Sequence, residues 1–422
     1  MRIAVWHNLP SGGGKRALYD QVAGLLGLGH DVESWCPPSV DQEFLPLGNL
    51  IKERVVTLQR VHRSRPRRVL WELAHDTEAF VEAMDRHCEQ CATEIGRGRF
   101  DVLLGNSCMD LRVTAIGRYV DLASVLYLQE PYRWLYEALP DPPFAADQRP
   151  TGWWYSASEV RKVARRAAVI RRKEVRVREE VKNASAFGSI ACNSLYSREA
   201  ILRAYGLDSE VCYLGVDEAR LSPGEHPDER LSFFLSVGSM TPEKNAAFIV
   251  RALGNRKDKS WPLVWVANIV NKGYASYVGK LAAEVGVTFD LRVGLSDEEV
   301  VGFYRTAGLL LYAPRLEPFG LAPLEASACG LATVAVAEAG TRESIAEGVN
   351  GFLVPASEVR FAEKIDEVLG QPEQVRRMAR RGREWVEEQW TARSAAERLE
   401  SVLERAVSKG RAQRRDEPWK AV

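Results

Sequence analysis

From residue 233 onward the chain repeats one pattern. Short β-rich runs at 233–237, 263–267, 289–293, 309–312, 333–336 and 352–354 are separated by segments able to form helices. A strand that returns to its sheet through a helix pairs in parallel, and right-handed crossovers place the helices on both faces. The second half is therefore expected to be a Rossmann-like α/β domain with a covered parallel sheet. The first half opens in the same way. An apolar run at 3–6 reads as a buried strand, Pro10, Ser11, Gly12, Gly13 and Gly14 as a glycine loop, and Leu18, Val22, Leu25 and Leu26 recur at helical spacing. Further strands are expected at 102–104, at 125–128 and around Ile190 and Ala191. The spacing predicts a first domain over 1–222, a second over 231–390, and a helix and tail over 391–422, with 222–228 as linker. Helix is expected from Pro372 to about Arg405 and disorder over 411–422. Two Rossmann-like domains in series leave a cleft between the carboxyl ends of their sheets, where a ligand belongs.

Composition excludes several partners. Lys plus Arg and Asp plus Glu number 57 each, so no global field draws the chain to nucleic acid. The first apolar run is too short for a signal peptide, and no stretch reaches the roughly 18 apolar residues of a membrane span. A cytoplasmic protein is expected. Its seven scattered cysteines form no disulfide framework. His87, Cys88 and Cys91 are open to two readings, half a zinc site or a redox pair, yet no second pair lies nearby, and they read as structural. The segment 158–182 is expected to be one helix dense in Arg and Lys, including Arg165, Arg166, Arg171 and Arg172. It reads as a solvated face balanced by Glu159, Glu174, Glu179 and Glu180, or as a cationic surface for peripheral contact with anionic lipid.

The stretch 315–330 carries the most chemistry. It follows the run at 309–312, and Pro323 suits a first helical turn, which puts Glu317 in the loop above the sheet and Glu325 within about one turn of the helix start. Free amides at such a start attract phosphate, and two carboxylates can accept from sugar hydroxyls. The alternative is that Glu325 only complements the helix dipole and Glu317 is solvated. Tyr132, Trp134, Tyr136, Trp153, Trp154 and Tyr155 form an aromatic-rich region that either stacks on an acceptor or packs its own loop.

Two glutamates enclosing seven residues, Glu317-Pro-Phe-Gly-Leu-Ala-Pro-Leu-Glu325, resemble the signature of the retaining glycosyltransferases of family four, which have the GT-B fold. Other segments are similar to the family's in the same order: Gly12, Gly13 and Gly14; 193–199; 213–217; 238–245; 340–345; and 348–354. The resemblance implies a nucleotide-diphosphate-sugar donor and an acceptor that is a glycan, lipid-linked or small molecule, with no cofactor and no metal. It implies that Glu317 holds the transferred sugar and Lys244 neutralises the diphosphate. Glu325 would hold the ribose, with backbone amides of Phe319, Gly320 and Leu321 and the close backbone of Gly13 and Gly14 facing the donor. Two positions depart from the family. Ser239 stands where most members have arginine, leaving Arg315 or Arg342 as candidate replacements. Gln129 and Glu130 stand where a cleft histidine is usual. Two other classes stay open: a nucleotide-sugar epimerase of the same architecture, and a non-catalytic nucleotide-sugar-binding protein.

Overall fold

The computed structural model describes the backbone of residues 1–59, 69–137, 157–227 and 229–416, and side chains over 1–59, 77–137, 168–227 and 229–410. Two parallel sheets are present. The first contains β1 (Arg2–Asn8), β2 (Asp31–Cys36), β3 (Lys52–Val55), β4 (Val102–Cys108), β5 (Ala123–Tyr127), β6 (Ser189–Cys192) and β7 (Glu210–Val211). Their order is β3-β2-β1-β4-β5-β6-β7. The second contains β8 (Phe234–Val237), β9 (Leu263–Ala267), β10 (Phe289–Val293), β11 (Leu309–Tyr312), β12 (Thr333–Val336) and β13 (Gly351–Val354), in the order β10-β9-β8-β11-β12-β13. Each order reverses beside its first strand, at β1/β4 and at β8/β11, and crevices open above such reversals.

All six runs of the second half are strands within a residue of expectation. Each is a compact β-rich segment whose helices cover it on both sides. The first half holds three strands the spacing did not reveal. β2 and β3 carry charged residues that hide the apolar pattern. Glu33 is buried in β2 because Arg2 and Arg54 reach its two oxygens at 2.7 and 2.9 Å. Gly13 and Gly14 are not loop residues. They form the first turn of the Gly13–Gly27 helix, with Gly12 before it at φ 137°.

The chain crosses between the domains twice, and the two crossings bond to each other. Val216 N donates to the Trp390 carbonyl, and Ala392 N donates to the Val216 carbonyl, both at 2.8 Å. The Ala392–Asp416 helix then returns to the first sheet, where Leu399 and Leu403 join the core with Leu18, Leu25 and Tyr127. It packs so closely on the Gly13–Gly27 helix that a Cβ at Gly24 would meet the Ala396 Cβ at 2.5 Å. The expected disorder from 411 is corrected: helix continues to Asp416, because the alanine, glutamine and arginines of 411–415 are strong helix formers. Residues 417–422 lie outside the described ones.

Candidate active site

A cleft of about 540 Å³ separates the carboxyl ends of the two sheets. The sequence-derived candidates Gly13, Gly14, Gln129, Glu130, Ser239, Lys244, Glu317, Phe319, Gly320, Leu321 and Glu325 all line it.

Glu317 is fixed by its backbone. Arg315 N donates to the Glu243 carbonyl at 2.8 Å, Leu316 N to Glu338 Oε1 at 2.9 Å, and Gly340 N to the Glu317 carbonyl at 2.9 Å. Leu316 sits at φ 48°, a left-handed conformation that an unconstrained leucine avoids. Such strain persists only where its surroundings over-determine it. Lys244 is fixed similarly: it ends a single 3₁₀ turn, Pro242–Lys244, and Asn245 follows at φ 60° with Nδ2 donating to the Ala313 carbonyl at 3.1 Å. The two side chains meet, Lys244 Nζ lying 2.6 Å from Glu317 Oε2. Burial alone would raise the Glu317 pKa, but the charges of Lys244 and Arg133 outweigh it and hold the carboxyl below the usual range.

Glu325 lies on the Leu321–Ala328 helix, where its Oε2 accepts from the buried Tyr304 hydroxyl at 2.7 Å. That helix is preceded by Gly320 at φ 99°, and a Cβ there would also lie 2.9 Å from Ser344 Oγ. Glycine is thus required both for the turn and for the approach of the 340–345 loop. The Phe319 ring points away from the cleft and packs on Tyr213 and Trp390, so only its backbone is available to a ligand.

The first domain supplies the facing wall. Gln129 lies over the Gly13–Gly27 helix start, where a Cβ at Gly14 would meet its Oε1 at 3.2 Å, and its Nε2 is buried without a hydrogen-bond partner. Glu130 is already engaged by protein. It accepts from Arg112 Nη2 at 2.9 Å and from Arg133 Nε. Tyr132 and Trp134 line the cleft, whereas Tyr136 stacks edge-on against Tyr205 in the domain interior. Trp153, Trp154 and Tyr155 lie outside the described residues.

Neither cation offered by the sequence for the Ser239 position lines the cleft. Arg315 is exposed, and Arg342 Nε donates to the Ala339 carbonyl at 3.2 Å. Arg133 and Arg16 do line it, and sequence reasoning missed both. Arg16 bonds both oxygens of Asp297 in the second domain, at 3.0 and 2.6 Å. Asp20, one turn along the same helix, is pushed up to about 7 by burial, despite Arg16 and Arg220.

The other side-chain clusters are accounted for by protein. His7, Cys36 and Glu53 lie within 4.8 Å of one another. His7 Nε2 contacts Glu53 Oε1 at 2.9 Å, the Lys15 ammonium faces the same carboxylate, and burial pushes the Cys36 thiol up to about 12. Cys88 and Cys91 are buried, and burial likewise pushes the Cys88 thiol up to about 12, in keeping with structural thiols. The basic segment is one helix, Ala157–Ala184, on which Arg171 bonds Glu78 at 2.6 Å and Arg178 bonds Glu179 at 2.9 Å. The side chains of Arg165 and Arg166 lie outside the described residues.

A profile of the family described as "Glycosyl transferases group 1" matches residues 217–385, the segment that holds Lys244, Glu317 and Glu325. Through that segment the chain is similar to the group 1 glycosyl transferases. D-inositol 3-phosphate glycosyltransferase of Frankia alni is 38% identical over 103 residues, covering 24% of this chain and 25% of the relative. The GDP-mannose-dependent alpha-(1-6)-phosphatidylinositol monomannoside mannosyltransferase of Mycolicibacterium smegmatis is 25% identical over 231 residues, covering 50% and 60%. The chain thus spans between a quarter and three fifths of the length of these curated relatives. Anabaena HepE, solved with UDP and glucose, superposes with a TM-score of 0.67 at 17% identity over 96% of this chain and 99% of its own. Sucrose-phosphate synthase from Thermosynechococcus elongatus gives 0.69 at 16% identity, over 97% and 99%. The fold is therefore the GT-B fold of these structures.

Proposed function

We propose that the protein transfers a glycosyl group from a nucleoside-diphosphate sugar to an acceptor, with retention at the anomeric carbon. The observation that carries this reading is the Lys244–Glu317 pair beside the Gly320 helix start, with Glu325 one turn further on. A departing nucleoside diphosphate gains negative charge, and a fixed ammonium with free helix amides stabilises that gain. Glu317 would hold the reacting sugar and Glu325 the ribose. The first-domain wall of Gln129, Tyr132 and Trp134 would face the acceptor. GDP-mannose, named for the Mycolicibacterium relative, and UDP-glucose, with which HepE has also been solved, head the donor panel.

Thermal shift against nucleotide sugars identifies the donor, since a ligand that binds the folded state raises apparent stability by mass action. Incubation of that donor alone should give at most slow hydrolysis. Full conversion to an isomeric sugar nucleotide would make the protein an epimerase, and binding without turnover on any acceptor would make it a binding protein. Glu317 is paired with Lys244 and Glu325 with the Tyr304 hydroxyl, so front-face attack assisted by the leaving phosphate is the expected route, and product NMR should show the donor's anomeric configuration. An inverted linkage refutes it. Positive charge at the diphosphate comes from Lys244 and helix amides, so activity is expected to survive EDTA. Reversible loss in chelator, restored by a divalent ion, refutes that.

The Ala157–Ala184 helix is read as a membrane-facing element, supported by exposed Val169 and Ile170 beside its arginines. Replacing Arg165, Arg166, Arg171 and Arg172 by glutamine should weaken binding to anionic vesicles and spare donor hydrolysis. Equal vesicle binding by the variant would leave the helix as a solvated face.

A further inference from the structure

Lys244 has two duties that pull apart. Its ammonium lies 2.6 Å from Glu317, yet the glycosyl-transfer reading assigns it to the diphosphate. Ser239 brings a hydroxyl, not a second cation, to the same loop, and that hydroxyl lies 3.4 Å from Thr241 Oγ1. As Lys244 turns toward phosphate, its hold on Glu317 weakens. A buried carboxylate left without a partner takes up a proton or moves.

Among the described residues, the other cation whose charge acts on Glu317 is Arg133. It begins a short helix in the first domain, Arg133–Tyr136, and lines the cleft opposite Glu317. Its Nη1 donates across the cleft to the Arg315 carbonyl at 3.2 Å, two residues before Glu317. The guanidinium is itself steered, because Nε donates to Glu130 Oε2 while Arg112 Nη2 holds Glu130 Oε1 at 2.9 Å. The charges alternate from Arg112 through Glu130, Arg133 and Glu317 to Lys244, and the series passes from one domain to the other.

We propose that Arg133 is a positioning residue of the transfer reaction, which takes over the Glu317 carboxylate when Lys244 turns to the diphosphate. The inference rests on the glycosyl-transfer reading of Lys244. The other groups around Glu317 do not fill this role. Tyr312 is a phenol kept protonated by burial and by the two glutamates, Glu325 is bonded to Tyr304, and Glu338 is turned to Leu316 N. Because Arg133 belongs to the first domain, this cation reaches the Glu317 loop from across the cleft.

Two experiments separate this inference from the reading it rests on. In donor-free protein carrying ¹³C at the glutamate δ-carbons, Glu317 is assigned by the signal lost in Glu317→Gln. It is then titrated in wild type, Lys244→Met, Arg133→Met and the double variant. Adding Arg133→Met to Lys244→Met should raise the Glu317 midpoint by more than about one pH unit. Equal midpoints with and without Arg133 overturn the proposal, whatever the activity.

With a donor that turns over, Arg133→Met should lower kcat about 10-fold and change donor KM by less than about threefold. The acid limb of kcat should move up by about one pH unit, and Arg133→Lys should return most of it. An unmoved acid limb also overturns the proposal. If no nucleotide sugar is turned over, the functional reading fails, and the titration still decides whether Arg133 holds Glu317.

Discussion

Glu317→Gln should fold normally and lose about 100-fold in kcat, a loss of about 2.7 kcal/mol in transition-state stabilisation. In the proposed reaction the carboxylate would face the transferred sugar, and positive charge develops on a sugar ring as its leaving group departs. Glutamine preserves the volume and can still meet Lys244 through its amide oxygen, but it removes the charge. Donor KM should change far less, because the contact strengthens chiefly in the transition state. Steady-state kinetics on purified variant decides the matter, and a wild-type kcat in a folded variant removes Glu317 from the site.

A pH expectation accompanies this. Glu317 is held below its ordinary carboxylate value of 4.5 by Lys244 and Arg133, against the upward pull of burial. A depressed carboxylate contributes stability that is fully present above its unfolded pKa and is lost as pH falls through the folded one. The ion pair should therefore contribute to folded-state stability throughout neutral pH, and that contribution should be lost only in acid below about 4.5.

Glu325→Gln should act on binding. Its assigned partner is the ribose, remote from the reacting carbon, and a lost charge-assisted hydrogen bond costs about 1.5–3 kcal/mol, roughly a 10- to 150-fold rise in donor KM. The amide oxygen can still accept from the Tyr304 hydroxyl, so the helix that carries residue 325 keeps its anchor. The free nucleoside diphosphate provides the control, since it contains the ribose but not the sugar. Calorimetry should show its affinity falling in Glu325→Gln and holding in Glu317→Gln. The reverse order would exchange the two roles.

The second domain was legible because its strands are short, β-rich and covered on both faces, so its pattern needs little tertiary context. The first domain was less so. Glu33 and Lys52 make β2 and β3 look polar, and only the reach of Arg2 and Arg54 explains a buried glutamate there. Within the site, Lys244, Glu317 and Glu325 lie in one domain on short segments whose local spacing is informative. Arg133 is different. It meets the Glu317 loop through a bond between residues 182 positions apart, and nothing local in Tyr132-Arg133-Trp134 marks that arginine as facing another domain. Arg16 escaped for the same reason, its partner Asp297 lying 281 positions away.

The return of the Ala392–Asp416 helix to the first sheet also sets an order of assembly during synthesis. Glu400 of that helix contacts His30 at 2.8 Å across 370 residues of chain. The second sheet draws all its strands from Phe234 to Val354, so it can close while the chain is still being made. The first domain, begun earlier, must wait with Leu18 and Leu25 lacking the Leu399 and Leu403 side chains that share their core. A nascent chain stopped near residue 391 is therefore expected to leave that part of the core uncovered, an apolar face of the kind that chaperones bind.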